Sequence, residues 1–75
     1  MKLKAEKQAE YQEIKKALRF AEQQVDFWRE TLISCDTAMV TGFKREMRSA
    51  LDHMGNCAKA EKDFLLNDGN FDLMP

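Results

Sequence analysis

The apolar residues in the first half of the chain recur at steps that alternate between three and four residues. This row, which we call the first seam, consists of Tyr11, Ile14, Leu18, Ala21, Val25, Trp28, Leu32, Cys35 and Met39. A period of about 3.5 residues, sustained over roughly four heptads, is typical of a helix that packs lengthwise against other helices. The sequence therefore predicts one long helix in this half.

The apolar residues of the second half form a row of their own. This second seam consists of Val40, Phe43, Met47, Ala50 with Leu51, Met54, Cys57 with Ala58, and Phe64 with Leu65; Glu61 interrupts it. A continuation of the first seam would instead fall on Gly42, Glu46, Ser49, His53 and Asn56. Because the two seams are out of phase, one straight helix would bury different faces in its two halves. We therefore predict an all-α fold, an antiparallel hairpin of two long helices.

The turn of this hairpin is predicted within residues 34–42, where many residues have modest or low helix propensity. Ser34 or Asp36 is suited to capping a new helix. Gly42 is suited to ending the first helix in the left-handed conformation. A turn at 34–37 gives two arms of similar length, and we favour it over a bend at 41–42.

Gly55 and Asn56 raise the alternative of a short third helix after them. The second seam passes through this pair without losing phase, so we predict one continuous helix, with a kink at most. Residues 67–70, with the sequence NDGN, are a stop signal. The predicted hairpin therefore covers residues 1–66, and residues 67–75 form a flexible tail that is acidic and hydrophobic.

A second row of residues lies beside the first seam, and we call it the side row. It consists of Ala17, Phe20, Gln24, Phe27 and Thr31. Two adjacent rows predict two neighbours, as in a bundle of helices. We expect Phe20 and Phe27 to pack in a core or oligomer interface, and the alternative is an exposed patch that binds another protein. A homodimer that forms a four-helix bundle would cover them. Its layout resembles small dimeric hairpin bundles of the Rop type, in architecture and without a shared motif.

Composition and charge limit the class of protein. The chain has 75 residues, of which 33% are charged, and its net charge is −1. This length allows one small domain, and the near-neutral charge provides no general attraction to nucleic acid or anionic membranes. The N-terminal segment lacks the apolar stretch of a secretory signal, and no apolar run is long enough to span a bilayer. We expect a cytoplasmic protein whose two cysteines form no disulfide framework.

We find no set of residues with the spacing of a catalytic or metal site. His53, the only histidine, is expected at the surface, and Cys35 and Cys57 lie on seams as small hydrophobic residues. Neither CxxC nor HxxxH occurs, and there is no glycine-rich phosphate loop. We therefore expect a protein that is not an enzyme and that holds no cofactor or metal.

A basic cluster follows the predicted turn and supports an alternative function. Lys44, Arg45 and Arg48 fall within one short stretch, FKREMR. In a symmetric dimer the cluster would appear twice and contact phosphates in a salt-dependent manner. Acidic residues are interleaved throughout, so a mixed solvated face is the favoured interpretation.

The tail carries Phe71, Asp72, Leu73 and Met74 after a Gly-Asn pair. A short segment of this kind is typical of a docking peptide. The segment from Asn70 to Met74 resembles the Gln-Leu-Asp-Leu-Phe type of peptide that bacterial sliding clamps bind, with two identical positions. That resemblance implies a clamp-binding tail. The alternative, which we favour, is that Phe71 and Leu73 fold back to cover the end of the bundle.

Together these features predict a small, non-enzymatic, helical interaction protein. We expect an adaptor, inhibitor or regulator, of phage or plasmid origin, that binds a larger protein partner. The predicted partner-binding residues are Phe20, Phe27, Phe71, Asp72, Leu73 and Met74. One alternative is a Rop-like dimer that binds nucleic acid through Lys44, Arg45 and Arg48. Another is a structural coiled-coil element of a larger assembly.

Overall fold

The computed structural model describes residues 2–72, and it confirms the predicted helical hairpin. Helix α1 covers Ala5–Ser34 and helix α2 covers Val40–Leu66. Two short 3-10 turns, Thr37–Met39 and Asp68–Asn70, follow the two helices. Two-residue strands, β1 at Lys2–Leu3 and β2 at Phe71–Asp72, lie at the ends of the described chain. The helices pack antiparallel along their length, and the molecule measures 59 × 14 × 14 Å.

The two seams meet between the helices. In the middle of the hairpin the buried residues are small or branched: Ala21 and Val25 from α1 and Ala50 from α2. Small side chains allow the two backbones to approach closely. Aromatic pairs lie on either side of this central contact. The two seams would lie on different faces of one straight helix, but they face each other once the chain reverses. Their burial against each other is the physical reason for the hairpin.

One aromatic pair packs toward the open end of the hairpin and the other toward the turn. The rings of Tyr11 and Phe64 stack at the open end with centroids 5.7 Å apart. Trp28 contacts Phe43 at 5.6 Å nearer the turn. Aromatic pairs at these separations contribute about 0.5–1.5 kcal/mol beyond the area they bury. The pairs therefore fix the register of the two helices at both ends.

The chain reverses at Cys35 and Asp36, within the region predicted for the turn. The hydroxyl of Ser34 donates to the Glu30 carbonyl at 3.0 Å. Cys35 and Asp36 are extended. The Met39 N–H then donates to the Asp36 carbonyl at 2.9 Å, which closes the 3-10 turn that leads into α2. The Asp36 side chain makes no capping hydrogen bond.

Helix α2 runs without interruption through both of its glycines. Gly42, the alternative site of the bend, lies in the first turn of α2, and Gly55 lies in the interior. No third helix begins after Asn56 among the described residues. The second seam keeps one face of the helix against α1 along this whole length, so packing outweighs the helix propensity that each glycine loses.

Residues 67–72, the start of the segment predicted to be a flexible tail, fold back on the open end of the hairpin. The Asn67 side chain accepts a hydrogen bond from the Gly69 N–H at 3.0 Å. Asn70 is buried, and its side-chain amide donates to the Phe64 carbonyl at 2.9 Å. The Asn70 carbonyl accepts from the Lys4 N–H at 3.0 Å. One asparagine therefore satisfies a carbonyl in the last turn of α2 and an amide at the first turn of α1.

The two strands complete this closure. β1 and β2 pair antiparallel, with Lys2 opposite Asp72 and Leu3 opposite Phe71. We call the β1–β2 pair together with Asn70 the end clasp. It holds the two ends of the described chain at the same end of the hairpin, opposite the turn.

Candidate functional site

The side row of α1 lies outside the seam between the helices. Phe20 is 58% exposed and Phe27 is 61% exposed. They are seven residues apart, so they lie on the same face about 10.5 Å from each other along the axis. Within the single chain, the second helix does not cover Phe20 or Phe27. The predicted dimeric four-helix bundle, which would cover it, stays a prediction.

Phe27 packs against the pair of aromatic rings near the turn. Its ring meets Trp28 edge to face, with centroids 5.1 Å apart, and Trp28 in turn contacts Phe43 of α2. The exposed ring is thus the outermost member of an aromatic chain that reaches the seam. Such support restricts the ring, and a restricted side chain loses less entropy when a partner binds it.

Phe20 borders a shallow depression on the outer surface of α1. Its volume is about 490 Å³. The other lining residues are Glu13, Lys16, Ala17, Arg19 and Gln23. The lining thus combines two apolar residues, Ala17 and Phe20, with charged residues of both signs. A partner's apolar side chain can therefore sit beside Phe20 while polar groups pair at the rim, which is the usual anatomy of a protein–protein interface.

The structure does not bring the predicted tail residues to the side row. Phe71 is half-buried in β2 and Asp72 is exposed beside it. Leu73 and Met74 lie outside the described residues. The end clasp is more than about 20 Å from Phe20 along α1. In this fold the Asn70 to Asp72 segment is already paired, so a docking role for it requires that β2 leave β1.

The basic cluster lies on α2, just after the turn. Lys44, Arg45 and Arg48 are exposed and, with Thr41, line a depression of about 280 Å³. These three side chains make no ion pair with any residue of the described part of the chain. The cluster therefore places three positive charges within about one and a half turns of helix, with Glu46 in the same stretch.

His53 and Cys57 form a contact that neither the CxxC nor the HxxxH pattern describes. The Nε2 of His53 and the Sγ of Cys57 are 3.8 Å apart. The pattern HxxxC places both side chains on one face of α2, so its spacing was visible in the sequence. Within residues 2–72, no three side chains of His, Cys, Asp or Glu gather as a metal-binding group.

No protein family, curated protein or solved structure matches this chain. Within the same range of residues, neither helix has the apolar length that a bilayer crossing requires.

Proposed function

We propose that this protein is a small, non-enzymatic interaction protein, an adaptor, inhibitor or regulator, that binds a larger protein through the side row of α1. The observation that carries this proposal is the exposure of Phe20 and Phe27 on one face of a helix. Aromatic residues are enriched in the energetically important centres of protein interfaces. Scattered apolar residues on a surface are common, but these two exposed rings are aligned on one helix face, and Phe20 borders a depression.

The exposed area of the two rings limits the binding free energy that they can contribute. At roughly 200 Å² for a Phe side chain, about 120 Å² of each ring remains exposed, and burial contributes about 3 kcal/mol per ring. Association costs roughly 4–15 kcal/mol in lost freedom. The two rings alone therefore do not sustain a tight complex, and we expect the partner to occupy the depression beside Phe20 as well.

The shape of the molecule also favours an interaction role. Its accessible surface is 5935 Å², whereas a compact monomer of 8.7 kDa exposes roughly 4,700 Å². The excess of about 1,200 Å² is roughly twice the area of about 600 Å² that one partner contributes at the lower range of specific interfaces. A thin hairpin provides a long surface with little interior, which suits a chain whose role is contact rather than catalysis.

The test compares three proteins as baits for affinity capture, with mass spectrometry as the readout. The first is the wild-type chain, the second carries Phe20→Glu and Phe27→Glu, and the third carries Ile33→Glu. Ile33 is 75% exposed on a different face of α1, so its variant adds the same kind of charge to an apolar surface residue outside the side row. We expect a specific partner that the wild type and Ile33→Glu capture equally and the double variant does not.

Solution mass and helicity of each bait are measured in parallel. The proposal requires that the double variant keep the mass and melting temperature of the wild type. If the wild type is a dimer and the double variant is a less stable monomer, the side row is an oligomer interface and the proposal is wrong. Association that grows open-ended with concentration would instead favour the structural coiled-coil alternative.

A second candidate is nucleic-acid binding, favoured by the basic cluster in its depression without an acidic lining residue. If Lys44, Arg45 and Arg48 contact phosphates, changing all three to Gln should weaken binding to duplex DNA or RNA. It should also reduce the slope of log K against log salt by about 1 for each phosphate that is no longer neutralised. Lys59→Gln with Lys62→Gln is the matched control. An equal weakening in the control would indicate nonspecific attraction.

The proposal includes a cytoplasmic location and a phage or plasmid origin. Both cysteines are free thiols in the structure, which suits a reducing compartment. Retention of both thiols in protein recovered from cell extracts, measured by mass under alkylation, tests the location.

A further inference from the structure

Helix α2 brings the single histidine of the chain and one of its two cysteines side by side. His53 and Cys57 are four residues apart, and Nε2 and Sγ are 3.8 Å from each other. In a tetrahedral zinc site with Zn–S of about 2.3 Å and Zn–N of about 2.0–2.1 Å, the two donor atoms are about 3.6 Å apart. The pair therefore lies within about 0.2 Å of the separation that a shared ion requires.

We propose that His53 and Cys57 chelate a thiophilic divalent cation of the zinc class. Both donors project from consecutive turns of one helix, so the backbone fixes their spacing before the ion arrives. Imidazole nitrogen and thiolate sulfur are the ligands that zinc prefers. Neither donor belongs to the side row, so the proposal does not rest on the proposed function.

The surroundings of the pair admit a cation. His53 is exposed, and Cys57 is half-buried at the edge of a groove of about 290 Å³ between the helices. Glu10 and Glu13 border the same groove, and their carboxylates favour a positive ion over an anion. Cys35, the other cysteine, has its Sγ 3.5 Å from the Leu32 carbonyl and no histidine near it.

Binding is a balanced exchange of a proton for the ion. The Cys57 thiol loses its proton to water and the thiolate binds the cation, while neutral His53 donates a nitrogen lone pair. One proton is released for each ion bound. Two protein donors leave the remaining positions to water, and we therefore expect an exchangeable ion rather than a structural one.

Cobalt titration of the full-length, reduced protein tests this assignment. Co²⁺ reports tetrahedral ligation and thiolate bonding by its absorption. We expect sulfur-to-cobalt bands that saturate at one ion per chain and vanish on addition of Zn²⁺. Cys57→Ser should abolish the sulfur bands. His53→Ala should weaken binding by more than about 10-fold, because the loss of a residue that only supports a metal ligand already lowers metal affinity by about that factor. Cys35→Ser is the matched control and should bind as the wild type does.

A second measurement compares the two thiols within the unmodified wild-type protein. Alkylation of each cysteine is followed by mass spectrometry with and without Zn²⁺, and only Cys57 should be protected by the metal. Circular dichroism establishes that each variant is folded. Absence of sulfur bands, equal protection of both thiols, or normal binding by Cys57→Ser would overturn the proposal and leave a simple thiol–imidazole hydrogen bond.

Discussion

The contrast between a buried and an exposed phenylalanine provides a direct test of the packing described above. Phe64 is 7% exposed, and its ring stacks on Tyr11. Phe20 is 58% exposed on the side row. We consider Phe64→Ala and Phe20→Ala as a matched pair, because the two substitutions remove the same atoms from different environments.

The magnitude for Phe64→Ala follows from its burial. At about 25 cal/mol per Å² and roughly 200 Å² of side chain, burial of Phe64 contributes about 4–5 kcal/mol relative to an extended chain. Compact unfolded chains reduce this by roughly 10–40%, and alanine retains part of it. We therefore expect a loss of about 3 kcal/mol. A chain of this length has roughly 4–11 kcal/mol of stability in total, so the loss is a large fraction.

The magnitude for Phe20→Ala is much smaller. More than half of the Phe20 side chain already contacts water, and alanine is the better helix former by about 0.5 kcal/mol. We expect the free energy of unfolding to change by less than about 1 kcal/mol, as for most surface substitutions. The difference between the two variants is thus about 2 kcal/mol or more.

Urea denaturation and thermal denaturation, each followed by circular dichroism at 222 nm, measure both variants at two protein concentrations. The expected result is a lower midpoint for Phe64→Ala, with a melting temperature reduced by roughly 12–24 °C, and almost no change for Phe20→Ala. If Phe20→Ala costs as much as Phe64→Ala, and its midpoint depends on concentration, then Phe20 is buried by a second copy in solution. That result would refute the assignment of the side row as a free surface.

Two further predictions concern residues that the fold uses in specific ways. Asn70→Ala removes the side-chain amide that donates to the Phe64 carbonyl at 2.9 Å and leaves that carbonyl only the longer bond from the Asn67 N–H at 3.3 Å. We therefore expect a loss of about 0.5–1.5 kcal/mol in denaturant unfolding, and an unchanged free energy of unfolding would contradict a stabilising role for this amide. Gly55→Ala should stabilise the protein by about 0.5–1 kcal/mol, because a Cβ there meets no heavy atom of the described chain within 4 Å. Gly69→Ala is the control, since its Cβ would lie 3.1 Å from the Asn67 side chain; equal gains at both sites would contradict the argument.

The hairpin was predictable because its cause is a regular pattern. The phase shift between the seams, and the continuity of the second seam through Gly55, each extend over many residues. The end clasp was not predictable in this way. β1 and β2 have two residues each, too few for any periodicity, and they meet only because α1 and α2 match in length. The burial of Asn70 depends on the same meeting.

The candidate sites show a different limit of sequence reasoning. The side row was visible as a pattern, but the same pattern fits a covered interface and an open surface, so the exposure of Phe27 required the fold. Lys44, Arg45 and Arg48 lie within five residues, and their common depression follows from helical spacing. His53 and Cys57 were not predicted as a pair because CxxC and HxxxH each require two identical ligands.

The end clasp has a mechanical consequence. Lys2 and Asp72 are opposite each other in the ladder, so a force applied between the two ends of the chain loads the backbone hydrogen bonds of the clasp first and one after another. Once they break, the same force peels α2 away from α1, starting at the Tyr11–Phe64 stack and moving toward the turn. The rod therefore unzips under tension between its ends instead of shearing, and it yields in small successive steps.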